Sequence, residues 1–113
     1  MSKKGKLLIA IVHPDDSKIL IDELTEKKYR LSSFEVVGGF LKTKNICILI
    51  GLDDEKDRKE VEETIKKNCR SRTEFISSAP PLSGPGELVI SNPVEVKVGG
   101  ATIFVVDAEV LKL

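Results

Sequence analysis

In the stretch Arg30-Leu31-Ser32-Ser33-Phe34-Glu35-Val36-Val37-Gly38-Gly39-Phe40-Leu41-Lys42-Thr43-Lys44-Asn45, basic and polar residues surround a glycine pair followed by an aromatic. Each of these residue types can hold one part of a nucleotide. A guanidinium such as that of Arg30 grips a phosphate through paired hydrogen bonds or stacks on a purine. Gly38 and Gly39 carry no Cβ, so their backbone N–H groups can come close to an anion. Phe40 offers a stacking face, worth about 1–3 kcal/mol per base. The Asn45 amide donates and accepts, which is what adenine N6 and N7 require. The Ser32 hydroxyl can bond a base edge, and Lys42 and Lys44 add positive charge. An ordinary hairpin turn with solvated lysines would carry the same residues. The elements around the stretch therefore have to decide between the two.

Lys6 to Val12 is a continuous apolar run and reads as a buried central strand. His13-Pro14-Asp15-Asp16 ends it, and Asp15 or Asp16 can cap a helix. The spacing then predicts a helix over Asp16 to Lys28, with Ile19, Leu20, Ile21 and Leu24 as its apolar stripe. Arg30 to Val37 is a second strand. Its apolar residues do not alternate cleanly, so it is either bulged or two-faced. Ile46 to Leu52 is a third strand, joined to the second through Gly38-Gly39 as an antiparallel hairpin.

Acids at Asp53-Asp54-Glu55 mark a helix start, and Val61, Ile65 and Cys69 recur at helical spacing. That predicts a helix from Asp54 to Cys69, with Lys66, Lys67 and Arg70 near its end. Thr73 to Ile76 is a short fourth strand. Residues 77–93 show no period and are punctuated by Pro80-Pro81, Gly84-Pro85-Gly86 and Asn92-Pro93. A loop of that length in a small domain is commonly functional or disordered. Val94 to Val98 and Thr102 to Val106 read as a second hairpin about Gly99-Gly100. The tail, Asp107 to Leu113, is a short helix or an ordered extension.

This order is β-α-β-β-α-β with an added hairpin, an α+β fold of the ferredoxin-like kind. The 113 residues are expected to form a single domain, 1–113, with loops near 38–45 and 77–93. Helices would cover one face of the sheet only. The other face would carry apolar residues that need a partner, so an oligomer is expected.

Lys+Arg 18 and Asp+Glu 18 cancel, which removes the bulk electrostatic case for binding nucleic acid or membranes. An RNA-binding domain of this fold would also show paired aromatics on its central strands. Cys47 and Cys69 make neither a disulfide framework nor a metal spacing, so a cytoplasmic protein without bound metal is expected. The apolar run at Leu7 to Val12 is too short for a secretion signal or a membrane span. His13 has no neighbouring nucleophile. No catalytic constellation is recognisable, and the expectation is a protein that is not an enzyme.

Several blocks carry a resemblance. They are Leu8-Ile9-Ala10-Ile11-Val12, Tyr29-Arg30-x-Ser32, Gly38-Gly39-Phe40-Leu41, Asn45, Gly51 and Pro93-Val94-Glu95-Val96-x-Val98-Gly99-Gly100-Ala101. Together they resemble the PII-like cyclic di-AMP receptors over nearly the whole chain. The resemblance implies a homotrimer with nucleotide sites between subunits and two mobile loops, in residues 38–45 and 77–93. It implies ligand contacts from Arg30, Ser32, Gly39, Phe40, Leu41, Asn45 and Gly51, and no cofactor besides the cyclic di-AMP ligand. It implies a signalling role in which the bound state orders the long loop and reaches a protein target. The chain departs from the family pattern at Val36 and Val37, where threonines are common, and at Lys44, where glycine is common. It departs again at Ile46 and Cys47, which replace polar residues, and at Val110-Leu111-Lys112-Leu113. A PII-type regulator reading ATP or ADP, or an interaction trimer without ligand, are the alternative readings.

Overall fold

The computed structural model describes residues 2–38, 44–77 and 93–113. Gly39, Phe40 and Leu41 lie outside them, as do 78–92 of the expected long loop. The elements run β1 (Ser2–Val12), α1 (Pro14–Glu26), β2 (Leu31–Val37), β3 (Lys44–Leu52), α2 (Glu55–Asn68), β4 (Arg72–Ser77), β5 (Pro93–Val98) and β6 (Ala101–Leu111).

Alternation along β1 and β3 builds the core. Leu8, Ala10 and Val12 are buried beside Ile48, Ile50 and Leu52, and α1 and α2 cover them with Leu20, Leu24, Val61 and Ile65. Each large aliphatic buried this way contributes about 1.5–3 kcal/mol. The buried row of α1 is Asp16, Leu20 and Leu24, spaced four apart. Ile19, expected in the apolar stripe, lies off that row and is 59% exposed.

Helix α1 was expected over Asp16 to Lys28 and instead runs from Pro14 to Glu26, two residues earlier at each end. His13, not Asp15 or Asp16, caps α1: its Nδ1 accepts from the Asp15 N–H at 3.1 Å, and Pro14 takes the first helical turn, where its missing N–H costs nothing. At the other end Lys28 adopts a left-handed φ of 68°. The N–H groups of Lys28 and Tyr29 then close on the Thr25 and Leu24 carbonyls at 2.9 and 3.1 Å. This reversal delivers Arg30 to the start of β2. Asp54 caps α2 as its acidic start predicts, accepting from the Asp57 N–H at 2.9 Å.

The sheets correct the expected topology. The four-stranded antiparallel sheet has the order β2-β3-β1-β6, and β4 and β5 form a separate two-stranded ribbon. The fourth strand therefore leaves the main sheet. The expected late hairpin also fails: β5 and β6 follow one another across Gly99-Gly100 but pair with different strands. The reason lies in β1 and the tail. Ile103 and Val105 of β6 pack against the core beside Ala10 and Leu8, and at the rim the basic start of the chain meets the acidic end of β6, with Lys4 opposite Glu109 and Lys6 Nζ 2.7 Å from Asp107 Oδ1. The tail is thus strand, and β6 takes the place beside β1 along its full length.

Candidate functional site

The β2–β3 pairing runs without a bulge from Leu31 opposite Ile50 to Val37 opposite Lys44. Ile48 and Ile50 face the helices, so Leu31 and Ser33 share that face. Period two then puts Ser32, Phe34 and Val36 on the opposite face, with Leu49, Cys47 and Asn45 beside them. This settles β2 as two-faced.

Among the described residues no helix covers that second face. Across the sheet it reads Ser32, Leu49, Ile9 and Phe104 in one row, and Phe34, Cys47, Ile11 and Thr102 in the next. A third row holds Gly51, Leu7 and Val106, with the Gly51 N–H 3.3 Å from the Arg30 carbonyl. Phe34, Phe104 and Val106 are 48%, 51% and 45% exposed. Aliphatic and aromatic side chains ordered in rows make this an apolar patch of the kind found at interaction surfaces.

The expected ligand residues fall into two groups on this face. Arg30, Ser32 and Gly51 lie at one end. Asn45 lies at the other, beside the segment 39–43. Ser32 and the Val36–Asn45 pair stand four residues apart along β2, about 13 Å at strand spacing. One base edge cannot span that distance, whereas the two halves of a dinucleotide can. Arg30 and Ser32 are exposed and Asn45 is half-buried. Gly51 sits in open space: a Cβ built there meets nothing within 4 Å. Packing among the described residues does not call for glycine at this position, and a ligand or neighbour approaching the backbone would.

Phe34 is the residue of this face that sequence reasoning did not single out. It lies between Ser32 and Asn45 on the open face and presents a half-exposed ring. The signal was present as Ser32-x-Phe34-x-Val36, the alternate positions of an edge strand. Gly39, Phe40 and Leu41 fall outside the described residues, so the structure neither joins them to this face nor separates them from it.

The remaining reactive groups lie elsewhere. Both cysteines are buried and free, and burial pushes the Cys69 thiol up to about 11, so it stays protonated at neutral pH. Among the described residues no group of His, Cys, Asp and Glu could hold a metal ion, and no helix is long and apolar enough to cross a membrane. An open groove of about 470 Å³ runs between α2 and the start of β6, past Ile65, Lys66, Cys69, Arg70 and Ile103. It lies on the helix side of the sheet, and none of the expected ligand residues lines it.

Comparisons with known proteins give the chain a family and its fold relatives. A family model described as "Cyclic-di-AMP receptor" matches residues 5–112. Among solved structures, a functionally unknown protein from Pediococcus pentosaceus ATCC 25745 is 35% identical, covers 92% of this chain and 91% of its own, and superposes with a TM-score of 0.69. A candidate PII-like signaling protein from Thermus thermophilus is 11% identical over 97% of this chain and 91% of its own, with a TM-score of 0.60. CPII from Thiomonas intermedia K12, bound to ADP, AMP and acetate, is 12% identical over 99% of this chain and 93% of its own, with a TM-score of 0.57. At such low identity the last two establish a likeness of fold alone.

Proposed function

The chain belongs to the cyclic-di-AMP receptor family, and from that premise we propose that it binds cyclic di-AMP between the subunits of a homotrimer. Its role is that of a signalling receptor without catalysis. The site takes in Arg30, Ser32, Gly39, Phe40, Leu41, Asn45 and Gly51. Arg30 neutralises a phosphate, Ser32 and Asn45 bond the base edges, and the Gly39–Leu41 backbone with the Phe40 ring encloses a purine.

One observation carries the location: Ser32, Asn45 and Gly51 share the sheet face that the helices leave bare. An apolar face of this kind buries itself against copies of the same chain at little cost. A ligand at its rim would then meet two subunits. Residues 77–93 relay the bound state to a protein target, because a ligand moves an equilibrium only by binding one of its states better than the other.

A calorimetric and thermal-shift panel with cyclic di-AMP, cyclic di-GMP, ATP and ADP tests the reading. ADP is included because CPII carries it. Cyclic di-AMP at about 100 times its Kd should stabilise the fold by about 2.7 kcal/mol. A response to ATP or ADP alone would favour a PII-type nucleotide regulator, and silence with all four would favour an interaction trimer.

A further inference from the structure

Asp16 takes the first place in the buried row of α1, ahead of Leu20 and Leu24, and only 9% of it is exposed. A carboxylate held there needs compensation. The helix N-terminus supplies part of it. Arg72 supplies the rest, with Nη1 at 3.1 and 3.3 Å from the two carboxylate oxygens.

Arg72 opens β4 and stands opposite Val98, at the end of the ribbon where it joins the body. Its Nη1 also donates to the Arg70 carbonyl at 3.3 Å, and its Nε to Glu74 at 3.3 Å. The chain leaves the ribbon through Gly99 and Gly100, with φ of 84° and 74°. A Cβ on Gly99 would stand 2.3 Å from the Arg70 carbonyl oxygen and 2.8 Å from Arg72 Nη1. The first ribbon strand, the glycine that follows the second and the start of α1 therefore meet at one guanidinium, and among the described residues the ribbon packs mainly on itself.

The place of this junction gives it meaning. Val12, which ends β1 just before α1, pairs with Ile46 on one side and with Ala101 on the other. Asn45 precedes Ile46. The ribbon is thus fastened at the same end of the sheet from which residues 39–43 depart.

We infer that Asp16 and Arg72 are a positioning pair that fixes the ribbon to α1, with Glu74 a lesser partner of the same guanidinium. The inference goes beyond the nucleotide reading and holds whichever ligand binds. Both contacts to Asp16 come from a single nitrogen, so a lysine ammonium can replace it, whereas a neutral side chain cannot.

Hydrogen–deuterium exchange on the full chain tests this. In Asp16→Asn and in Arg72→Gln, amides of 72–77 and 93–98 should exchange at least about tenfold faster, while those of β1 and β3 keep their rates. Arg72→Lys and Glu74→Gln should stay within about threefold of the parent. Ribbon rates unchanged in Asp16→Asn and Arg72→Gln would overturn the inference. So would an Arg72→Lys ribbon as fast as that of Arg72→Gln. Acceleration spread equally over β1 and β3 would make the pair a general stabiliser and overturn it as well.

Discussion

Val36 and Asn45 stand directly opposite one another across β2 and β3, on the face the helices leave bare. Side chains so placed are about 4.5–5.5 Å apart at Cβ, close enough to act on one ligand group. Receptors that this chain resembles commonly carry threonine at the Val36 position. Val36→Thr should place a hydroxyl beside the Asn45 amide and tighten cyclic di-AMP binding by about three- to tenfold, the net worth of one hydrogen bond. Asn45→Ala should loosen it by about tenfold or more, with unfolding temperature little changed. Calorimetry on the two variants decides. Equal affinities in both would place the base edge away from this pair.

Arg30 is exposed at the head of β2, and its carbonyl, not its side chain, holds Gly51. Arg30→Ala should therefore leave the fold within about 0.5 kcal/mol of the parent. Affinity for the dinucleotide should fall at least about tenfold, or about 1.4 kcal/mol, since a charge-assisted phosphate contact is lost. Retained affinity would remove Arg30 from the site.

Gly51 separates a role inside the chain from one outside it. A Cβ at this position meets no atom of the described residues within 4 Å. Gly51→Val should give an unchanged circular dichroism spectrum, because a β-branched residue suits a strand. Binding of cyclic di-AMP, or assembly measured by light scattering, should be lost, because the methyls fill the space a ligand or neighbour enters. A Gly51→Val variant that assembles and binds normally would show that nothing approaches this backbone.

The parts of the fold legible in the sequence were those fixed by local pattern. The apolar runs of β1 and β3, the acidic start of α2 and the β2–β3 hairpin all follow from residues close together in the chain. The partner of β6 did not. Its choice between β5 and β1 rests on distant contacts such as Ile103 beside Ala10 and Val105 beside Leu8, and Gly99-Gly100 suits a hairpin as well as a crossing between sheets. Asp16 shows the same limit. Its type and position match a helix cap, and only the tertiary approach of Arg72 reveals why it is buried. Ser32, Asn45 and Gly51 could be picked out singly, whereas their shared face became visible only through the strand register.

Lys28 offers a stability test that leaves the site alone. Its φ of 68° is a left-handed conformation that costs an L-residue about 1–2 kcal/mol and glycine very little. Lys28→Gly should raise the unfolding temperature by a few degrees, less whatever glycine loses through its freer unfolded chain. Affinity for nucleotide should not move. A lower unfolding temperature would mean that the lysine stem contributes more than the backbone strain costs.

The alkaline limb of stability should report Tyr29. Burial, and then the nearby Asp57 and Glu60 carboxylates, push its phenol up to about 12 from an ordinary value near 10; its hydroxyl lies 3.4 Å from Asp57 Oδ1. Below pH 10 the phenol is protonated in both folded and unfolded chains, and its contribution is complete. Between pH 10 and 12 the unfolded chain loses the proton first and binds fewer protons than the folded one, so stability falls as pH rises. Cys69, pushed up to about 11, begins the same loss from about pH 9. The informative quantity is the difference between parent and variant, in which contributions common to both cancel. Tyr29→Phe should be somewhat less stable at pH 8, having lost a hydrogen bond, and its urea midpoint should fall less steeply from pH 10 to 12. Parallel curves for the two proteins would show that Tyr29 ionises as freely in the folded chain as in the unfolded one.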